Sequence, residues 1–333
     1  MPLPLLIVSI IATTGYGVKK GLDAKKDFDE AKELNKKAQE IYEKAQTKLE
    51  SKKEDTNTAL EFLGKIKVNI YEGSLKEFVD IFSQINNIDF KDNLQLGLLP
   101  NLDEQDMLDI KDTVVKMEEI LGGGIAALGS GALAGIGALG GVSAFATAST
   151  GTAIASLSGA AATNATLAWL GGGSLAAGGF GMAGGMVVLG GLVTGPMLAV
   201  GGFIAAKKAE EAKYTAKENY SKAKIAKEEI DAICTVLDGI FRQADEFSYI
   251  LEKMDKYLIR QNNKIKGIIK DKGNNYLKYS TKEKKQLMIA FSIAETIKNL
   301  CDTPIIDEKG EITKESKKAL EKAKEINRKI KEI

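Results

Sequence analysis

Residues 121–150 read LGGGIAALGSGALAGIGALGGVSAFATAST. They open a run, 120–206, in which none of the 87 residues is Asp, Glu, Lys or Arg, although the whole chain carries 46 basic and 45 acidic side chains. Of the 34 glycines in the chain, 24 lie in this run, mixed mostly with Ala, Leu, Val and Met. At a helical rise of about 1.5 Å per residue, such a run crosses a bilayer core of roughly 30 Å more than once. The expected fold is therefore all-α: an elongated helical bundle or antiparallel coiled coil carrying a Gly/Ala-rich hydrophobic helical hairpin.

The run divides into three. In its first part Gly131 and Gly135, and Gly137 and Gly141, are four residues apart. The middle part, near 147–166, is rich in Thr, Ser and Ala. In the third, Gly173, Ala177, Gly181 and Gly185 share one helical face. Small residues at this spacing let helix backbones approach closely, which drives association in lipid, where burying Leu gains nothing. Two zipper arms packed on each other, with the Thr/Ser/Ala segment at the tip, satisfy the pattern. Each glycine costs about 1 kcal/mol relative to Ala in a helix exposed to water, so the run needs packing or lipid around it. Insertion is marginal: between 186 and 205, nine Val, Leu, Ile and Phe residues stand against five glycines, Thr194 and Pro196. A marginal segment suits conditional insertion. Pro196 is expected to kink the second arm. Trp169, the single tryptophan, opens that arm, either at a lipid interface or in plain packing.

Two glycine patterns, 135–140 and 179–184, match the dinucleotide fingerprint by spelling alone. Neither follows a credible strand, and no acidic residue occurs between them and Glu210 to hold a ribose. The chain has no histidine, which removes imidazole bases, Ser–His and Cys–His dyads and most zinc sites. No catalytic residue, cofactor or metal site is expected, and the chain does not read as an enzyme. Net charge is +1, which provides no field for nucleic acid. Cys234 and Cys301 lack metal-ligand spacing and read as reduced thiols, Cys234 in a buried position.

Outward from the run, Lys207 and Lys208 end it, and Lys19 and Lys20 follow the uncharged N-terminal segment. Lys207 and Lys208 after the run, with Lys111 and Lys116 before it, place both flanks on one side of a membrane that the hairpin crosses an even number of times, in agreement with the orientation that Lys19 and Lys20 give the N-terminal segment. The N-terminal segment reads either as a short anchor or as an apolar helix packed on the protein. The first arm carries Phe28, Ala31, Leu34, Ala38, Ile41, Ala45 and Leu49 at helical spacing, then Leu60, Leu63, Ile66 and Ile70 after a break expected near 55–57. Gly73 interrupts, and Ser74 with Glu77 is expected to form a capping box. A second long helix to about Lys270 is expected to pack antiparallel on the first. Ser280 and Glu283 form another expected capping box, and 314–333 reads as a charged, solvated helix that frays. The resulting division is a hydrophobic segment (1–18), a first coiled-coil arm (19–119), the insertion hairpin (120–206), a second arm (207–270) and C-terminal helices (271–333).

The stretch from Ala144 through 150–173, TGTAIASLSGAAATNATLAWLGGG, to Gly195 and Pro196, with the Met-Pro-Leu-Pro start, resembles an uncharacterised bacterial family of glycine-zipper helical proteins. The resemblance covers most of the chain and implies no catalytic residues. In architecture alone, an apolar hairpin between long amphipathic helices is similar to α-helical pore-forming toxins, colicin pore domains and apolipoprotein L. The expected function is insertion into a lipid bilayer that permeabilises or remodels it, as a toxin or defence effector does. The chain is expected as a homo-oligomer in the bacterial cytoplasm and at the inner membrane. Two alternatives are a resident membrane scaffold or sensor recruiting a protein through its coiled coil, and a soluble bundle with the run as core.

Overall fold

A computed structural model describes residues 18–90, 103–120, 133, 136–138, 209–307 and 311–331. They form an all-α fold: α1 (Val18–Ile70), a π-helical turn (Tyr71–Leu75), α2 (Lys76–Phe82), α3 (Glu104–Ile120), α4 (Ala209–Lys272), α5 (Thr281–Asp302) and α6 (Lys314–Lys331). Among the described residues the only β pairings are isolated bridges, Asn86 with Asn275 and Ile306 with Ile312. Two compact units divide the chain, Met1–Thr47 with Pro196–Asp231 and Lys48–Gly195 with Ala232–Ile333. Both α1 and α4 contribute residues to each.

In the first unit the interface is built on alanine. Ala31, Ala38 and Ala45 are buried on α1, and Ala216, Ala223 and Ile230 on α4. Both series repeat every seven residues, the period that keeps one seam facing a partner helix. Lys213 Nζ lies 3.0 Å from Asp27 Oδ1 and 2.7 Å from Glu30 Oε2, and Asn219 Nδ2 donates to Asn35 Oδ1 at 3.0 Å. An Asn pair beside a small-residue seam fixes its register, because a slip leaves an amide unbonded.

These pairs correct the expected direction. As α1 advances from Asp27 to Asn35, its partner advances from Lys213 to Asn219: the helices run parallel. The second unit has the same sense, with Thr56 Oγ1 bonded to the Leu237 carbonyl and the Ser74 carbonyl bonded to Asn262 Nδ2. An antiparallel pair needs only a short turn between its helices, whereas a parallel pair needs a long returning connection. The length of chain between α1 and α4 allows that. Helix periodicity alone carries no direction.

The second unit has one hydrophobic core, in which α5 is buried on all sides through Leu287–Ala294 and again at Ile297, Leu300 and Cys301. Around it, Phe291 meets Phe82 with ring centroids 5.4 Å apart and Phe90 at 5.9 Å. α4 stops at Gly273, whose φ of +76° needs no Cβ and whose N–H closes on the Ile269 carbonyl at 2.8 Å. α5 then starts at the expected capping box: Ser280 N donates to Glu283 Oε2 at 2.7 Å, and Glu283 N to Ser280 Oγ at 3.4 Å.

Three local expectations fail. α1 continues through 55–57 without a break. Ser74 and Glu77 form no capping box, because the helix does not end at Gly73 but absorbs it in a π turn. The Glu77 carboxylate instead bonds Asn262 Nδ2 at 3.1 Å and pairs with Lys266. α6 does not stand in solvent: Leu320, Ala323 and Ile326 are buried in the core, and Ser316 Oγ accepts from Gln243 Nε2 at 3.3 Å. Both cysteines are buried, and no disulfide joins them.

Candidate functional site: the seat of the glycine-rich run

Ile120 ends α3, and past it four residues of the run are described, Leu133, Ile136, Gly137 and Ala138, all helical. They lie on α1 inside the second unit. Leu60, Gly64 and Lys67 of α1, and Tyr71 at the first position of the π turn, follow at three- and four-residue steps and so share one face. Leu133 and Gly137 have the same four-residue step.

The two faces cross reciprocally. A Cβ on Gly64 would sit 1.9 Å from the Leu133 carbonyl oxygen, and one on Gly137 would sit 2.0 Å from the Leu60 carbonyl oxygen. Each glycine therefore admits the backbone of the other segment at the point where the other carries leucine. No side chain larger than hydrogen fits either place without moving backbone. Leu60 and Leu63 are fully buried, and Leu133, Ile136 and Ala138 are nearly so.

The carbonyls of the seated turn take donors from elsewhere in the fold. Lys67 Nζ donates to the Ile136 and Gly137 carbonyls, each at 3.2 Å. The Ala138 carbonyl accepts from Ile305 N at 2.7 Å and from Ile306 N at 3.3 Å, in the segment after α5. Successive helical carbonyls pointing one way present partial negative charge, which an ammonium and amide N–H groups answer.

Lys67 is fully buried. Burial pulls its ammonium down to about 8, against the opposing pull of Cys301 and Asp302. Tyr71 donates its hydroxyl to Asp302 Oδ1 at 2.6 Å, and burial pushes its phenol well above the ordinary range. The other carboxylate oxygen of Asp302 lies 3.4 Å from Lys298 Nζ. Burial likewise pushes the Cys301 thiol up, which makes it a packing group rather than a nucleophile. The π turn begins at Tyr71, directly after the seat. The assembly grips backbone. Among the described residues no group of His, Cys, Asp or Glu could hold a metal ion.

Of the glycine positions singled out by spacing, Gly137 is described, and its close neighbour is α1. Gly131, Gly135, Gly141, Gly173, Ala177, Gly181, Gly185, Trp169, Pro196, Lys207 and Lys208 lie outside the described residues. So does the N-terminal segment before Val18. Lys19 and Lys20 belong to the first turn of α1, their side chains outside the description. Sequence reasoning passed over Gly64 and Lys67. The signal was present: Lys67 sits between Ile66 and Val68, on the apolar series that links Leu63 to Ile70.

Among the described residues no helix is long and apolar enough to cross a membrane. No family model matches the chain, and neither a curated protein nor a solved structure matches it.

Proposed function

We propose that this chain inserts residues 120–206 conditionally into a bilayer and permeabilises or remodels it, acting physically rather than catalytically. The observation that carries the reading is the 87-residue uncharged run in a chain otherwise dense in charge. The seat on α1 supports a stored state: the start of the run is held by protein through two glycines and a buried lysine before any lipid is met. The basic flanks Lys19, Lys20, Lys207 and Lys208 would remain on the cytoplasmic side of a bacterial inner membrane. Insertion would proceed as a homo-oligomer, with Gly173, Ala177, Gly181 and Gly185 packing helix on helix.

Dye release from vesicles tests this. The full chain should release dye; a chain lacking 120–206 should not, and Gly181→Leu with Gly185→Leu should lose most of the activity. Unchanged leakage in the glycine variants would remove the zipper from the mechanism. One observation favours a second reading, a helical bundle with the run as permanent core: the close backbone crossing of Gly64 and Gly137 is of the kind found inside bundles. Alkaline-carbonate extraction separates the two, since a permanent core washes off membranes. A resident scaffold would instead stay in the membrane pellet without leakage.

A further inference from the structure

Between α4, α5 and α6, within the second unit, lies a concavity of about 420 Å³ whose lining includes Arg260, Lys264, Lys282 and Lys285 and no carboxylate. We propose that it is a binding site for a phosphorylated polyol, and this proposal stands apart from the insertion reading.

The cations converge by register. Tyr257, Arg260 and Lys264 follow at three- and four-residue steps on α4, as do Lys282, Lys285 and Ile289 on α5. Each helix thus presents two cations and one apolar side chain to the same hollow. Several other lysines of the second unit are paired: Lys266 with Glu77, Lys272 with Glu283, Lys298 with Asp302 and Lys324 with Glu246. Among the described residues, none of the four cations of the hollow has an ion-pair partner. In a chain of net charge +1, four unpaired cations around one concavity are a local departure from balance.

Helix electrostatics sharpen the point. Lys282 and Lys285 lie in the opening turns of α5, the positive end of the helix dipole, where the one carboxylate, Glu283, is taken up by Ser280 and Lys272. Cations are disfavoured there and an anion is favoured, so a bound phosphate would relieve both the repulsion and the dipole. Arg260 adds a planar fork able to hold two phosphate oxygens.

Two further features narrow the ligand. The volume falls in the range of small-molecule sites, and Tyr257 and Ile289 give it an apolar wall. Gln261 and Gln286 add side-chain amides to the same lining. An amide beside the cations can bond a hydroxyl next to the phosphate. Sugar phosphates in solution and the glycerol phosphate head of an anionic phospholipid share this chemistry.

The test uses the full chain. Calorimetric titration with fructose 1,6-bisphosphate probes the free ligand. Sedimentation with vesicles of phosphatidylglycerol in phosphatidylcholine, against phosphatidylcholine alone, probes the headgroup. The variant Arg260→Gln with Lys285→Gln removes two pocket cations; Lys317→Gln with Lys318→Gln removes two exposed cations from α6 as control. The proposal expects at least about a tenfold loss of affinity for one probe in the pocket variant and none in the control. Loss confined to the sugar phosphate identifies a soluble ligand, and loss confined to phosphatidylglycerol vesicles identifies the headgroup. Binding of neither probe, equal loss in both variants, or equal affinity for sulfate at matched ionic strength would overturn it.

Discussion

Lys67 is buried without a carboxylate partner among the described residues, and its charge is spent on two backbone carbonyls. Such an arrangement has a pH signature. The unfolded lysine holds its proton to about 10.5, whereas the folded one sheds it near 8. Between these values the unfolded state binds more protons, so stability rises with pH; below 8 the full cost of burying the charge is present. From pH 8 to 10 the gain is about 2 kcal/mol, at about 1.4 kcal/mol per pH unit. Cys301 and Tyr71, both raised by burial, work the other way at the top of that window. Their contribution is common to both proteins when wild type is compared with Lys67→Met. The stability difference between the two, from urea unfolding, should shift in favour of wild type by about 2 kcal/mol from pH 8 to 10. A constant difference would show that Lys67 is not held in a dry site.

The glycines make a second test at the same scale. Gly64→Ala places a methyl against the Leu133 carbonyl and should cost about 3 kcal/mol, because backbone must move apart. Gly267 lies on the exposed side of α4 with nothing near its missing Cβ, so Gly267→Ala should gain up to about 1 kcal/mol from helix propensity. Urea midpoints at constant slope read both. Opposite signs are expected from one chemical change.

At the scale of elements, the start of α5 is the most clearly determined junction. Lys272 and Ser280 together hold the Glu283 carboxyl down to about 2. A depressed carboxyl stabilises the fold above its ordinary value near 4.5 and loses that contribution as pH falls toward 2. Ser280→Ala should cost about 1 kcal/mol at neutral pH. Glu283→Gln should flatten the loss of stability between pH 4.5 and 2 relative to wild type, as read by thermal unfolding.

This junction was legible in sequence because Ser280 and Glu283 carry the whole signal within four residues. The pair Ser74 and Glu77 has the same spelling and caps nothing, since Asn262 and Lys266, nearly two hundred residues away, take the carboxylate. α6 misled for a related reason. Its charges outnumber its apolar residues, yet Leu320, Ala323 and Ile326 fall on one stripe and tertiary contact decides their burial. The parallel sense of α1 and α4 lies in pairs such as Asn35 with Asn219, which no local window reveals.

For the whole molecule, composition alone separated an uncharged run from charged helices, and the all-α class followed from that contrast. The seat did not follow. Gly64 and Lys67 look like an ordinary small residue and an ordinary surface charge until Leu133 and Gly137 lie against them. In this account the second unit is a holder, and what it holds is the first part of the segment proposed to enter lipid. Release then requires breaking contacts made with Gly64 and Lys67. Gly64→Ala, which weakens the seat, should accordingly raise the rate of dye release while lowering the stability of the protein. A slower release would place the seat on the productive side of the mechanism.

Trp169 is the single tryptophan of the chain and lies inside the run, so fluorescence reports on that segment alone. The most direct measurement is quenching of Trp169 by phospholipids brominated along their acyl chains, in vesicles mixed with the full-length protein. Insertion predicts a blue-shifted emission quenched by bromine in the hydrocarbon region, and a smaller effect with bromine-free lipid. Emission that is unchanged by brominated lipid, under conditions where the protein sediments with the vesicles, would contradict the account: the run would then remain on protein and never reach the bilayer.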